Sequence, residues 1–315
     1  MASYTQITLS EAQEILELYG ITGIKELIPL NFGISNSNYQ VILKSQDKII
    51  LKISNDKNPY ELAEEQKILQ YLKQNGYSYS LSPYLTNDGR SVYSWDKYFG
   101  VIYPFVAGDI PEISIESIQS IGKAMAQMHQ ISIDNGGYQN LRNHTEVGFG
   151  LQQIHDFAHS SKCPKEFSSA FELVFPESIF QEIVKEELPS GIIHGDLYYD
   201  NTLFLNGELS AVLDFEQSGI GDFLFDIGIS ISGSCLTKGD IDLELVNHFT
   251  EGYELIRPLQ EVEKKMLYYS IIAGLFSISL WRIKRFIEKN LDSTKTENYK
   301  ELIHRALRLH QKINP

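Results

Sequence analysis

The sequence contains few cysteines and no apolar stretch of transmembrane length. Only Cys163 and Cys235 occur among 315 residues, too few for a disulfide framework, so we expect a reducing cytoplasm. The apolar run at residues 271–280 is much shorter than the roughly 20 residues that a membrane helix needs. The N-terminus has no signal-peptide pattern. These absences predict a cytoplasmic protein that is not attached to a membrane.

Basic residues are also in short supply. The chain has 27 Lys and Arg against 41 Asp and Glu, a net charge of −14. Residues 1–103 carry nine basic and 11 acidic residues, whereas the remainder carries 18 and 30. Nucleic acids need basic surfaces, so we expect no nucleic-acid partner. An acidic second half tolerates a small ligand that carries an ammonium group.

One segment of the second half concentrates polar residues at a spacing suited to phosphotransfer. Short apolar runs at 191–193 and 203–205 predict strands that hold the loop His194-Gly-Asp-Leu-Tyr-Tyr-Asp-Asn201 between them, and a third run at 211–213 leads to Asp214. A hydroxyl that attacks a γ-phosphate needs a carboxylate nearby, and the triphosphate needs Mg²⁺ held by oxygen ligands. We assign Asp196 to the first role and Asn201 and Asp214 to the metal. Alternatively, His194 and Asp196 cap a buried turn.

These residues resemble the catalytic region of the aminoglycoside phosphotransferase-like kinases, relatives of protein kinases that phosphorylate small molecules. Gly195 stands where protein kinases place an Arg, and neither a Gly-x-Gly-x-x-Gly loop nor an Ala-Pro-Glu triplet occurs. A protein substrate is therefore not expected. The resemblance implies an α+β, bilobal protein-kinase-like fold with a small antiparallel-sheet N-lobe (1–103), a hinge (104–110) and a larger, mainly helical C-lobe (111–315).

The same resemblance extends past Asp214. In the stretch from Asp214 to Gly228, two further acids, Asp222 and Asp226, correspond to family residues that brace the loop and start a helix. With His194 they are expected to support the loop, as helix caps and anchors. Glu216 could supply another metal oxygen, but an exposed loop acid is the simpler interpretation.

The N-terminal part contains residues suited to hold a triphosphate. Strands are predicted at 39–43 and 49–53, and Lys52 on the second can hold α- and β-phosphate oxygens. A helix from 59 to 75, stopped by Gly76, carries Glu61, Glu64 and Glu65. The family resemblance favours Glu65 as the partner of Lys52. Glu61 instead suits the helix N-terminus.

A polar turn precedes these strands and provides further nucleotide contacts. Its small residues let backbone amides approach phosphate oxygens; the candidates are Gly33, Ser35, Asn36, Ser37 and Asn38. The sequence Phe-Gly-Ile-Ser-Asn-Ser-Asn-Tyr is similar to the corresponding loop of bacterial homoserine kinases within the family, and choline and ethanolamine kinases carry a related loop.

The segment 99–108 predicts a hinge whose backbone near Tyr103 and Phe105 binds adenine. Alternatively, the segment is a plain linker.

Helices are expected through most of the rest of the chain. Apolar residues at helical spacing predict one near 115–128, and others are predicted at 236–254, 258–288 and 294–312. At the N-terminus, Ser10 and Gln13 suggest a capping box before an amphipathic helix closed by Gly20.

Together the residues and the resemblance predict an ATP- and Mg²⁺-dependent kinase that phosphorylates a hydroxyl of a small amine-bearing metabolite. Homoserine is the first choice, and choline, ethanolamine or an aminoglycoside are the alternatives. A non-catalytic nucleotide-binding pseudokinase is disfavoured because every expected catalytic residue type is present. The sequence leaves the acceptor pocket and the oligomeric state open.

Overall fold

The computed structural model describes residues 5–30, 36–142 and 149–314. The chain divides into two compact units, residues 1–107 and 108–315. The boundary lies within the connection predicted at 104–110.

Unit 1 is built on a five-stranded antiparallel sheet in the order β1-β2-β3-β5-β4. Its elements are α1 (Leu9–Glu17), β1 (Ile24–Leu30), β2 (Asn36–Leu43), β3 (Lys48–Ser54), α2 (Pro59–Gln74), β4 (Tyr93–Trp95) and β5 (Tyr98–Pro104). Both predicted strands and the predicted helix are present. β2 nevertheless begins at Asn36, three residues earlier than expected, because alternate burial continues through Ser37 despite the polar composition.

The N-terminal helix packs its apolar face, including Ala12, Ile15 and Leu16, into the core of unit 1. Its capping box differs from the prediction of Ser10 and Gln13. The Thr8 hydroxyl accepts from the Glu11 amide, and the Glu11 carboxylate accepts from the Thr8 amide. The Gln13 side chain, one turn later, binds the backbone of the loop that follows the helix. Thr8 with Glu11 and Ser10 with Gln13 both have the spacing of a capping box, and the first of these pairs forms it.

Unit 2 is mainly helical, with short strands. Its elements are α3 (Ile115–Asn135), α4 (Leu151–Ala158), α5 (Lys165–Val174), α6 (Glu177–Ile183), β6 (Ser190–Ile193), β7 (Thr202–Leu205), β8 (Glu208–Val212), β9 (Gly219–Asp222), α7 (Phe223–Ser234), β10 (Leu236–Thr237), β11 (Asp240–Ile241), α8 (Leu243–Glu254), α9 (Glu261–Arg282) and α10 (Asn298–Ile313). The helix predicted from 236 therefore starts only at Leu243, after the β10–β11 hairpin, whose turn is closed by Gly239 in the left-handed region.

Close helix crossings depend on glycines. A Cβ at Gly122 of α3 would lie 2.2 Å from the Phe249 carbonyl oxygen of α8, and one at Gly252 of α8 would lie 2.1 Å from that of Gln119. The two backbones therefore approach each other through a reciprocal pair of glycines. At the crossing of α7 and α9, Gly228 similarly leaves room for the Ser270 carbonyl. These contacts fix the helices that surround the catalytic segment.

Within the described residues, one helix meets the length and hydropathy test for a membrane span. It runs over residues 261–288, where α9 continues into a π-helical turn (Ile283–Glu288), with mean hydropathy 1.4. However, 67% of its most apolar window is buried inside the protein. The apolar helix is therefore longer than the run at 271–280 suggested, but it has the burial of a core helix.

Candidate active site in the second unit

The predicted catalytic loop is held between two short antiparallel ladders. β6 pairs with β9, so Ile193 lies opposite Gly219, and β7 pairs with β8. After β8, the Leu213 amide donates to the Asn201 carbonyl at 2.8 Å. This bond joins the end of the loop to the residue before Asp214. The three strand predictions around the loop are confirmed.

His194 links the two acidic turns of the site. Its ring is fully buried, and Nε2 lies 2.8 Å from the Leu213 carbonyl oxygen. The Asp196 amide donates to Nδ1 at 3.2 Å. Because one neighbour only accepts and the other only donates, the neutral ring carries its proton on Nε2. His194 thereby connects the backbone of Asp196 with the turn that carries Asp214.

Asp226 anchors the start of the loop from the first turn of α7. Its Oδ2 accepts from the His194 amide at 2.9 Å, and its Oδ1 accepts from the Gly195 amide at 2.7 Å. Gly195 has φ 78°, a conformation that favours glycine. Burial opposes ionisation of Asp226, but its hydrogen bonds with the His129 ring and the His194 amide hold its pKa below the ordinary value. The predicted anchoring role of Asp226 agrees with this geometry.

Asp196 lies where several negative charges converge. Burial raises the pKa of its carboxyl well above the usual range, and the charges of Asp214, Asp200 and Glu216 raise it further. The Asn201 side chain opposes this by donating toward the carboxylate, at 3.5 Å from Oδ2. A carboxylate in such surroundings favours a proton or a cation nearby.

Asn201 is the last residue of the catalytic loop, and Asp214 follows β8. The Asn201 amide nitrogen donates to the Asp196 carbonyl at 2.7 Å, which leaves its oxygen as the natural ligand atom for a cation. Asp214 is solvent-exposed and adopts a left-handed conformation, with φ 59° and ψ 60°. An oxygen-donor set of this kind suits Mg²⁺. Among the described residues no group of three or more His, Cys, Asp and Glu is arranged as a metal site, so the metal assignment stays a prediction.

Two features of this turn were not foreseen. Glu216 is buried, at 8% exposure, which corrects its interpretation as an exposed loop acid. Arg142 clamps the turn: Nε donates to the Ser218 carbonyl at 2.7 Å, and Nη2 donates to those of Glu216 at 2.7 Å and Phe215 at 3.3 Å. The sequence did not predict this clamp, because a contact across more than 70 residues leaves no local sequence signal.

Asp222 differs from the capping role expected for it. It occupies the N-cap position of α7, but its side chain makes no capping hydrogen bond. Instead it borders a cavity of about 270 Å³, whose walls include Gln153, Leu224 and Tyr269. Asp222 thus directly precedes the first residue of α7, but its carboxylate does not accept a hydrogen bond from the first backbone amides of the helix.

Candidate nucleotide-binding residues in the first unit

Lys52 lies on the central strand β3, between Asn38 of β2 and Val101 of β5. Its side chain is only 8% exposed. A Cβ at Gly100 would lie 1.9 Å from the Lys52 carbonyl oxygen, so β3 and β5 approach closely at this point. The lysine is thus buried on the central strand, and its contact with phosphate oxygens stays a prediction.

The three glutamates of α2 have separate surroundings. Glu61 completes the capping box with Asn58, as its position suggested, and Glu64 forms an ion pair with Lys67. Glu65 is 1% exposed and forms an ion pair with Lys57 at 3.1 Å. Glu65 is thus the buried acid of the three, as a Lys52 partner would be, although the ion pair seen here is with Lys57.

The predicted phosphate turn lies partly outside the described residues, since Gly33 and Ser35 fall in 31–35. The remaining three residues belong to β2. Ser37 is fully buried, and its hydroxyl accepts from the Thr5 amide at 2.7 Å and from the Asn55 side chain at 3.0 Å. Asn36, Ser37 and Asn38 therefore lie in the strand and not in a turn, because buried hydrogen bonds allow polar residues to extend the strand.

Of the two residues predicted to lie at the adenine site, Tyr103 is near the end of strand β5 and Phe105 directly follows the strand. Tyr103 is 7% exposed, and its hydroxyl is hydrogen-bonded to the Gln66 side chain of α2. Phe105 is 37% exposed, and Lys48 Nζ lies 5.1 Å from its ring centroid. Their backbone contacts with a base stay a prediction.

Relationship to known proteins

The sequence matches the phosphotransferase enzyme family over residues 26–261. It is 27% identical over 280 residues to a homoserine kinase of Agrobacterium fabrum, covering 85% of this chain and 82% of that protein. The structure is similar to a microcompartment-associated aminopropanol kinase, with TM-score 0.70 and 19% identity over 97% of this chain and 98% of the other. It is equally similar to an amicoumacin kinase in complex with AMP-PNP and Ca²⁺, with TM-score 0.70 and 17% identity over 91% and 89%.

The predicted fold class is confirmed, since an antiparallel sheet precedes a mainly helical remainder and these structures share the arrangement. The family match covers well over half of the chain and includes the segment from His194 to Asp226. The chain belongs to the phosphotransferase enzyme family and is a small-molecule kinase.

Proposed function

We propose that the protein transfers the γ-phosphoryl group of ATP to the side-chain hydroxyl of homoserine. The observation that carries the reaction type is the junction of two turns through His194, which sets Asp196 and Asn201 beside the turn of Asp214. The homoserine kinase relative covers most of this chain and supports the choice of acceptor.

In the proposed reaction Asp196 accepts the proton of the acceptor hydroxyl while the hydroxyl oxygen of the acceptor forms a bond to the γ-phosphorus. The bond between that phosphorus and the β,γ-bridging oxygen breaks, and ADP leaves. The raised pKa of Asp196 makes it a better proton acceptor than an ordinary carboxylate. Most of the rate would come from positioning and charge neutralisation, since the transition state is loose.

Lys52 in unit 1 would hold α- and β-phosphate oxygens, and Asn201 and Asp214 in unit 2 would hold Mg²⁺. The metal would neutralise charge on the triphosphate. It would also offset the repulsion among Asp196, Asp214 and Glu216.

A coupled ADP-release assay with homoserine, choline, ethanolamine, hydroxylysine and kanamycin tests the acceptor. We expect kcat/KM to be at least about tenfold higher for homoserine than for the others, about 1.4 kcal/mol of transition-state binding. 2-Aminobutyrate, which is homoserine without its hydroxyl, serves as the blank. Preference for choline or ethanolamine would reject homoserine, yet leave the kinase chemistry intact.

Asp196→Asn tests the catalytic role separately. We expect turnover to be abolished while ATP still binds nearly as in the wild type, as measured by isothermal calorimetry. Normal turnover with weakened nucleotide binding would contradict the assignment. If no acceptor is phosphorylated but ATP raises the Tm, a nucleotide-binding pseudokinase becomes the better interpretation.

A further inference from the structure

A chain of buried polar side chains leads away from the catalytic loop into the helical core. It consists of Asp226, His129, Tyr253, Arg257 and Glu263, each no more than 4% exposed. The residues come from α7, α3, α8, the α8–α9 connection and α9. Removing this many polar groups from water costs free energy unless all are hydrogen-bonded. None of the proposed steps uses the last three.

The far end of this chain fixes the direction of its hydrogen bonds. Arg257 binds Glu263 through two bonds, of 3.0 and 2.9 Å, and Nη1 also donates to the Tyr253 hydroxyl oxygen at 3.0 Å. A guanidinium can only donate, so the tyrosine oxygen is the acceptor in this bond. The Tyr253 hydroxyl hydrogen is then directed to its other neighbour, His129 Nδ1, at 2.7 Å.

This direction determines which nitrogen of His129 carries the proton. With Nδ1 accepting from Tyr253, the neutral ring has its hydrogen on Nε2, which lies 3.0 Å from Asp226 Oδ2. Burial lowers the pKa of His129, which agrees with a neutral ring although Asp226 and Glu263 oppose the effect and Arg257 assists it. The ring also stacks on Phe223, with centroids 4.3 Å apart.

Asp226 links the His129 ring to the catalytic loop through hydrogen bonds. It receives three donors: His129 Nε2 and the amides of His194 and Gly195, the two residues before Asp196. With the opposite His129 tautomer, a nitrogen lone pair would face Oδ2, and the repulsion would push the carboxylate away from the His194 amide. The correct tautomer therefore keeps both backbone bonds in place.

We propose that Tyr253, held by the Arg257–Glu263 ion pair, is a positioning residue for phosphotransfer that sets the His129 tautomer and thereby fixes the catalytic loop. The hydroxyl acts at a distance from the reacting atoms, through three successive hydrogen bonds. The proposal rests on the kinase chemistry of the family and is independent of which acceptor is used.

The first test needs no variant. In protein labelled with ¹⁵N-histidine, long-range ¹H–¹⁵N correlation spectra report the tautomer of each ring, and His129→Gln assigns the signal. We expect hydrogen on Nε2 and an unprotonated Nδ1. A hydrogen on Nδ1, or a doubly protonated ring at pH 7, would overturn the proposal.

The second test compares Tyr253→Phe with Tyr299→Phe, a tyrosine on α10 that is also buried, at 5% exposure, but lies outside the chain. For Tyr253→Phe we expect about tenfold faster hydrogen exchange at the His194 and Gly195 amides, the effect of losing one hydrogen bond worth about 1.4 kcal/mol. With any acceptor that is turned over, kcat should fall several-fold while the KM for ATP stays within about twofold.

Equal loop exchange in the two variants would reject the proposal, even if both lose some stability. Exchange and tautomer are measured without substrate, so failure of the homoserine assignment leaves these outcomes unaffected. Arg257→Lys provides an intermediate case: it keeps the charge but loses the paired geometry with Glu263. We expect its loop exchange to lie between those of the wild type and Tyr253→Phe.

Discussion

Replacing the catalytic carboxylate should stabilise the metal-free protein while destroying its activity. Folding brings Asp196 into a partly buried site near the charges of Asp214, Asp200 and Glu216, which raises its pKa well above the usual range. In the unfolded chain the carboxyl ionises normally, at about pH 3.9. At neutral pH the unfavourable electrostatics of the Asp196 carboxyl therefore lower the free energy of unfolding, and Asp196→Asn removes this cost.

The size of the effect follows from the linkage between pKa and stability. Each unit by which folding raises a carboxyl pKa costs about 1.4 kcal/mol at pH values above the folded-state pKa. One kcal/mol moves the Tm of a protein of this size by roughly 2 °C. We expect a Tm increase of at least about 2 °C for Asp196→Asn at pH 7, measured by calorimetry with a chelator present.

The dependence on pH gives a second check. Below the unfolded-state pKa both states are protonated and the penalty vanishes, so the advantage of Asp196→Asn should shrink as the pH falls toward 4. Glu208→Gln, which removes one exposed charge from the first residue of β8, is the control and should leave the Tm unchanged. An Asp196→Asn protein no more stable than the wild type at pH 7 would refute the reasoning.

Three other substitutions test separate parts of the structure. Arg142→Ala removes the guanidinium donor from the carbonyls of Ser218 and Glu216, while that of Phe215 keeps its bonds from Ser218, and should lower the free energy of unfolding by about 2–4 kcal/mol in urea titrations; a loss below 1 kcal/mol would argue against the clamp. Asp214→Ala should raise the Mg²⁺ concentration for half-maximal activity about tenfold or more, and an unchanged Mg²⁺ titration would refute its ligand role. Gly122→Ala should destabilise by about 1–3 kcal/mol, whereas Gly150→Ala, with open space at its Cβ, should have little effect; similar Tm values for the two would contradict the close crossing of α3 and α8.

The secondary structure around the catalytic loop was predictable because the patterns that indicate it extend over only a few residues. The residues from His194 to Asn201 stand between apolar strands, and Asp214 follows another strand within a few residues. Strand periodicity and polar spacing both act over such distances. Lys52 was found in the same way, from its place on a predicted strand.

The supports of these residues come from far along the chain and were not predictable. Arg142 reaches carbonyls 73 to 76 residues away, and His129 reaches Asp226 across 97 residues. In each case the two partners are far apart in the sequence, so the contact is visible only after folding. The prediction of the N-terminal capping box was wrong for a different reason. Both Thr8 with Glu11 and Ser10 with Gln13 have the spacing of a capping box, and the sequence does not show which pair forms it.

Main-chain atoms supply most hydrogen bonds of the catalytic loop. The amides of His194 and Gly195 donate to Asp226 and the Asn201 carbonyl accepts from Leu213, while the amide and carbonyl of Asp196 are bonded within the loop. Any residue type supplies these groups. Side chains at Tyr199 and Asp200 are thus open to replacement during divergence or laboratory evolution without detaching the loop. Mutant libraries aimed at new acceptors can begin at these two positions.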